Sequence, residues 1–124
     1  ALKNLEIFKR EDLVGNSDRM GTYLYEQLQT LYKHPSVGDV RGGMGLFAAV
    51  ELVSDRESKT PFPASAELAK KIPPALYDRN LISFRAGDLI SLCPPLSINK
   101  DEIDFMVSAI DEGLTEVEKD LGLV

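Results

Sequence analysis

The chain has 124 residues, 44% hydrophobic and 27% charged, with nine glycines and seven prolines. That is the make-up of one compact globular domain, and it excludes a disordered, collagenous or low-complexity chain. No apolar run approaches the roughly 18 to 20 residues of a membrane-spanning helix, and a formal net charge of −6 argues against a nucleic-acid surface, which needs clustered Lys and Arg.

The acidic excess is local. Residues 1–100 carry 13 basic and 12 acidic side chains, whereas residues 101–124 carry one basic and eight acidic. A single cysteine, Cys93, excludes an intrachain disulfide, and one His beside one Cys excludes an ordinary zinc site, so no metal is expected and the setting reads as reducing and cytoplasmic. The chain opens on helix-periodic Ala1–Phe8 with no initiator Met and no leader pattern, and reads as though cut from something longer.

In chain order, Leu2, Leu5 and Phe8 share one helical face. Leu13, Met20, Leu24, Leu28 and Leu31 follow in phase along a second helix, with a bend expected at Gly15-Asn16. Pro35 should stop that helix near Lys33-His34. The period then changes. Residues 37–41 and 46–53 are short β-branched and apolar runs separated by Gly42-Gly43-Met44-Gly45, which predicts an antiparallel strand pair across a glycine turn. Residues 54–64 are polar and proline-bearing and form a connection. A helix from Ser65 to about Asn80 should kink or restart at Pro73-Pro74. Residues 81–85 and 89–92 read as a second strand pair turned at Ala86-Gly87-Asp88, before Pro94-Pro95 ends strand pairing.

The last helix is the clearest element. Asn99 and Glu102 have capping spacing, and Ile103, Met106, Val107, Ile110, Leu114, Val117 and Leu121 fall within an arc of about 100°. The eight acids lie outside the arc, so they read as a solvated face.

The catalytic inventory of the residues themselves is thin. His34 sits at a helix end with no Ser or Cys beside it to act as nucleophile, and reads as structural. Cys93, between Leu92 and Pro94, reads as buried packing. Arg41 through Gly45 could pass for a phosphate loop, but lacks the Walker lysine context and the G-x-G-x-x-G spacing, and no helix follows. Arg85 differs in kind: it ends a predicted strand at a sheet edge, where a guanidinium can hold a carboxylate or phosphate through two parallel hydrogen bonds. On the residues alone, an Arg85 paired with Asp88 or with solvent remains the simpler account.

Taken together, Val37–Val53, Thr60-Pro61-Phe62, Arg85–Leu96 and Asp101–Asp104 form a collinear set that resembles the C-terminal part of class III pyridoxal-phosphate-dependent aminotransferases. The resemblance implies an α+β fold over residues 1–124: a small, mainly antiparallel sheet with helices on one face, the small domain of a fold-type I transferase whose large α/β domain is absent. It implies that pyridoxal 5'-phosphate, its lysine and its phosphate-binding residues belong to that large domain, so no catalytic or cofactor-binding residue is expected among these 124. It also implies a homodimeric parent, acting on a small-molecule amino donor and a keto acid.

Arg85 matches the family arginine that binds a substrate carboxylate and swings away for an apolar substituent. Ser91 stands where ornithine-type members carry a fixed arginine, which points to the ω-amino acid:pyruvate branch. The isolated chain is then expected to be inactive. A free-standing α+β binding or interaction module is the alternative. The fragment reading predicts an uncovered apolar patch, with Leu2, Leu5, Phe8 and Leu46-Phe47 as candidates.

Overall fold

The computed structural model describes residues 2–82, 84–86 and 88–123, with residues 84–86 described by their backbone alone. Helix α1 (Leu2–Arg10) leads into α2 (Leu13–Gln29). The break between them falls at Asp12, which adopts φ 48°, and not at Gly15-Asn16, both of which continue α2. Asp is among the few residues that enter the left-handed region readily. Gly15 makes room for this turn, because a Cβ there would meet the Asp12 carboxylate at 2.5 Å. Arg19 then holds that carboxylate at 3.3 Å. Helix α2 tightens into a 3₁₀ turn at Thr30–Lys33 and stops before Pro35, as the sequence predicts.

Strands β1 (Val37–Arg41) and β2 (Ala48–Leu52) pair antiparallel. The turn between them needs its glycines: Gly43 and Gly45 have φ of 88° and 67°. It also lies against α2 so closely that a Cβ on Gly21 would sit 2.0 Å from the Gly45 carbonyl oxygen.

Helix α3 (Leu68–Tyr77) carries Pro73 and Pro74 inside one continuous element, so of the kink or restart expected of them the restart does not occur. Each proline removes a backbone donor, so packing must offset the loss. Ile72, Ala75 and Leu76 are buried around the two prolines. Gly113 of the last helix, where a Cβ would come within 3.0 Å of Leu76 Cδ2, lets the two helices approach.

The chain leaves α3 through Asn80 at φ 61°, with the Asn80 N–H donating to Tyr77 O at 2.9 Å and the Leu81 N–H to Leu76 O at 3.0 Å. This reverse turn is a common helix terminator. It engages Leu81, so β3 (Phe84–Ala86) starts later than the predicted residue 81. Ala86 also belongs to the strand instead of the turn. Strand β4 (Leu89–Leu92) follows, and α4 (Lys100–Asp120) closes the fold behind the Asn99/Glu102 capping box that the spacing predicts.

The four strands form one antiparallel sheet in the order β1-β2-β4-β3. Register puts Val40, Val50 and Ile90 in one row, all at most 4% exposed. Ala48, Leu52 and Leu92 share that face two residues along. Against it pack Leu24, Leu28 and Leu31 from α2 and its 3₁₀ turn, Ile72 and Leu76 from α3, and Ile103, Ile110 and Leu114 from α4. The other face carries Asp39, Arg41, Glu51 and Ser91. The architecture is thus α+β, with a small antiparallel sheet and helices on one face.

Candidate functional site

Arg85 lies in β3, which pairs with β4 and is the outermost strand among the described residues. Its register partner is Ile90, at the end of the row that runs through Val50 and Val40. The Arg85 side chain, and Gly87 in the turn beside it, lie outside the described residues. The placement at a sheet edge is the one the sequence predicts.

Beside β4 is a cavity of about 440 Å³ lined by Phe47, Ile82, Ser91, Leu92, Cys93, Pro94, Pro95 and Met106. Cys93 is exposed on this surface, contrary to the buried packing expected of it. The residue is the first past β4, where Pro94-Pro95 ends the strand pairing. Asn16 fixes the departing segment: its Nδ2 donates to Leu96 O at 2.6 Å and to Ile98 O at 3.0 Å. Both amide hydrogens are used, which ties the β4 exit to α2.

Arg41 closes the polar face of the sheet, donating to Asp39 at 3.1 Å and to the Glu51 carboxylate. The Arg41 hydrogen bond holds the Asp39 carboxyl below the usual carboxylate range, against a smaller opposing effect of burial. Arg41 is therefore structural, as the sequence reading has it. The glycine turn after it runs into β2 and offers no helix N-terminus to a phosphate.

A second cluster escaped the sequence reading. His34 is buried, its Nδ1 facing the Glu118 carboxylate and its Nε2 lying 2.5 Å from Asp111 Oδ1. Glu118 is 0% exposed, so the acids of α4 are not all solvated. On a 3.6-residue wheel Glu118 stands only about 20° past the apolar arc, which was the available signal. Burial alone would raise the Asp111 carboxyl, but hydrogen bonds from Lys33 and His34 outweigh it and leave it below its ordinary value. A cavity of about 730 Å³ adjoins this cluster, and most of its charged lining is engaged in internal ion pairs, Lys33 on Asp111 and Arg79 on Glu112 and Glu116. The cluster joins the start of β1 to α4 and is a clamp. Among the described residues no group of three or more His, Cys, Asp or Glu side chains is arranged to hold a metal ion.

Residues 1–114 match the family model described as aminotransferase class-III. The chain belongs to the class III aminotransferases. It is 43% identical to a taurine–pyruvate aminotransferase of Bilophila wadsworthia over 99% of its own length and 28% of that relative's. Among solved structures, an (S)-enantioselective ω-transaminase from Thermomicrobium roseum superposes with a TM-score of 0.88 at 37% identity, over 94% of this chain and 26% of that one. An ω-transaminase from Pseudomonas jessenii, solved in complex with PMP, gives 0.89 at 37% identity over 98% and 26%. This class III aminotransferase chain thus spans little more than a quarter of the length of the relatives it matches.

The residues present do not fit the cofactor of such enzymes. A lysine that joins a carbonyl cofactor needs a desolvated amine. Lys3, Lys9, Lys33, Lys59, Lys70, Lys100 and Lys119 are exposed, and half-buried Lys71 is engaged by Asp120 at 2.8 Å.

Proposed function

We propose that this chain is the C-terminal small domain of an ω-amino acid:pyruvate-type transaminase, forming one domain over residues 1–124, with Arg85 as its contribution to substrate binding. The observation that carries the reading is the place of Arg85 in the edge strand β3 of a chain 43% identical to a taurine–pyruvate aminotransferase. A guanidinium at an open sheet edge is suited to an acidic group brought in by a neighbouring body, because its planar fork binds a carboxylate through two hydrogen bonds. Ser91, at the place of the fixed arginine of ornithine-type members, leaves Arg85 alone in that role.

Pyridoxal phosphate supplies the amino-transfer chemistry and is held by the rest of the parent polypeptide. The chain by itself is inactive on this reading. Membership in the family supports a cytoplasmic homodimer as the working form, and among the described residues no helix is long and apolar enough to cross a membrane. A free-standing module is disfavoured by Phe47 and Ile82, which are 62% and 82% exposed on a surface that a self-sufficient domain would keep polar.

The test is an Arg85→Leu variant of the full-length parent, assayed in the amine half-reaction with the donor alone so that the keto acid contributes no carboxylate. An ω-amino acid should lose roughly 10- to 100-fold in kcat/KM, the worth of a charge-assisted pair. An amine without an acidic group should be unaffected or improved. Equal losses for both donors would remove Arg85 from the substrate site.

A further inference from the structure

Of the Leu46-Phe47 patch anticipated from the sequence, only Phe47 is exposed, because Leu46 is buried. The far margin of the sheet is of a different kind. Strand β1 is outermost on that side among the described residues, and an outermost strand presents a row of N–H and C=O groups on which another strand can add. Here side chains occupy that row. The Tyr32 hydroxyl accepts from the Val40 N–H at 2.9 Å, Arg56 Nε donates to Val37 O at 2.9 Å, and Lys59 Nζ donates to Gly38 O at 2.9 Å. The register of β1 also shifts between Val37 and Asp39, and such an irregularity disrupts straight pairing.

Arg56 and Lys59 belong to one loop, residues 54–60, which follows β2 and turns back on itself. The Ser54 N–H donates to Thr60 O at 2.8 Å and the Thr60 N–H to Asp55 O at 3.2 Å, while Ser58 Oγ donates to Asp55 Oδ2 at 2.5 Å. Because β2 runs antiparallel to β1, its last residue, Leu52, lies opposite Val37, and the loop is delivered to the first residues of β1. Arg56 spans further: its Nη2 donates to Tyr32 O and His34 O, both at 2.6 Å, and its guanidinium carbon lies 5.5 Å from the centre of the Tyr32 ring. It thus fixes the same tyrosine that caps Val40. Lys59 reaches Gly38 from a left-handed backbone, φ 58°, which is uncommon for a residue with a side chain. Two cations laid along an edge deter a second edge, which would have to strip or bury them.

We propose that the 54–60 loop is a strap that closes the β1 edge against a second copy of this chain. The partner follows from β1 itself. Val40 gives its N–H to Tyr32 and not to β2, so two copies of β1 laid antiparallel about Val40 pair through that group once it is released. In that register Asp39 of one copy stands opposite Arg41 of the other, and opposite charges placed directly across a strand pair attract. Their side chains, 43% and 58% exposed, are within reach of a neighbour. A strongly acidic or basic partner finds no such match in a strand that carries one charge of each sign. With the strap in place, Val37 O, Gly38 O and the Val40 N–H are taken and the edge stays single; with the strap lifted, β1 is a template for its own copy.

The experiment compares the full 124-residue chain with its Arg56→Ala/Lys59→Ala and Lys59→Gly variants. Sedimentation velocity over a concentration series gives the self-association of each, and hydrogen exchange read by mass spectrometry at the two ends of the series gives its place. The double variant should dimerise at least about tenfold more tightly than the unchanged chain, the worth of one or two recovered backbone bonds. The peptide carrying residues 37–41 should then exchange more slowly at the high concentration than at the low. Lys59→Gly removes one cation without straining the loop, because glycine suits φ 58°, and should shift association in the same direction by a smaller factor. Folded variants that associate no more than the unchanged chain would overturn the inference. So would tighter association that leaves exchange in residues 37–41 unaltered, which would put the contact on the exposed apolar side chains elsewhere. If circular dichroism shows the double variant unfolded, Lys59→Gly decides alone on the same two measurements.

Discussion

The imidazole of His34 and the carboxylate of Glu118 meet inside the fold, 84 residues apart in the chain, with the second ring nitrogen 2.5 Å from Asp111 Oδ1. The Ser36 N–H adds a longer bond to Glu118 Oε2 at 3.4 Å. The pair joins the segment entering β1 to the last two turns of α4. Removing either partner leaves the other buried without its counterpart, which costs about 3–5 kcal/mol. Urea denaturation of Glu118→Ala and His34→Ala should show losses of that order, and the double variant should lose less than their sum. Unchanged midpoints would mean that the pair contributes nothing.

Asp111 supplies a pH dependence with a definite sign. Its carboxyl lies below the ordinary value in the folded chain, held there by Lys33 and His34 against the opposing effect of burial. A depressed folded value stabilises the fold above the unfolded value, about 3.9, and that stabilisation is lost as pH falls through the folded value. Asp111→Asn should therefore be less stable than the parent near pH 6, and the difference should shrink as the pH is lowered from about 4. Denaturation midpoints across that range check it; a constant difference would remove Asp111 from the pH response.

Asn16 should matter more than its half-exposed position suggests. Asn16→Ala strips both donors from the Leu96 and Ile98 carbonyls, a loss of about 1–3 kcal/mol for two bonds. Asn16→Asp keeps the shape, places an acceptor against two acceptors, and should be no better. Chemical denaturation distinguishes this from a neutral surface change, which would stay within about 0.5 kcal/mol.

Two glycine substitutions separate close packing from backbone strain. Gly21→Ala drives a methyl to 2.0 Å from the Gly45 carbonyl oxygen and should cost about 1–3 kcal/mol or more through displacement of the glycine turn. Gly122→Ala meets nothing within 4 Å and carries only its φ of 75°, so about 1 kcal/mol is expected. Thermal unfolding of both variants should rank them in that order.

Much of the framework is legible in residue periodicity. The capping box at Asn99 and Glu102, the stop before Pro35, and the strand pair across Gly42–Gly45 depend on contacts within a few residues, so local pattern is enough to find them. Where reading fails, distance along the chain is the reason. Pro73 and Pro74 break a helix by local rules, yet α3 keeps them because Gly113 of α4 allows Leu76 to pack closely. Cys93 sits in an apolar run, yet is exposed where Pro94-Pro95 ends strand pairing just past β4.

By itself the sequence determined the α+β element order, the two antiparallel hairpin pairings and the amphipathic face of α4, because periodicity and turn chemistry are properties of neighbouring residues; the candidacy of Arg85 rests on the resemblance to class III aminotransferases. Only the tertiary structure decided that Glu118 is a core residue held by His34, that Asn16 ties α2 to the β4 exit, and that Phe47 and Ile82 line one cavity beside β4. Each of those facts joins residues separated by more than 20 positions, and such a juxtaposition exists only once the helices have been laid across the sheet.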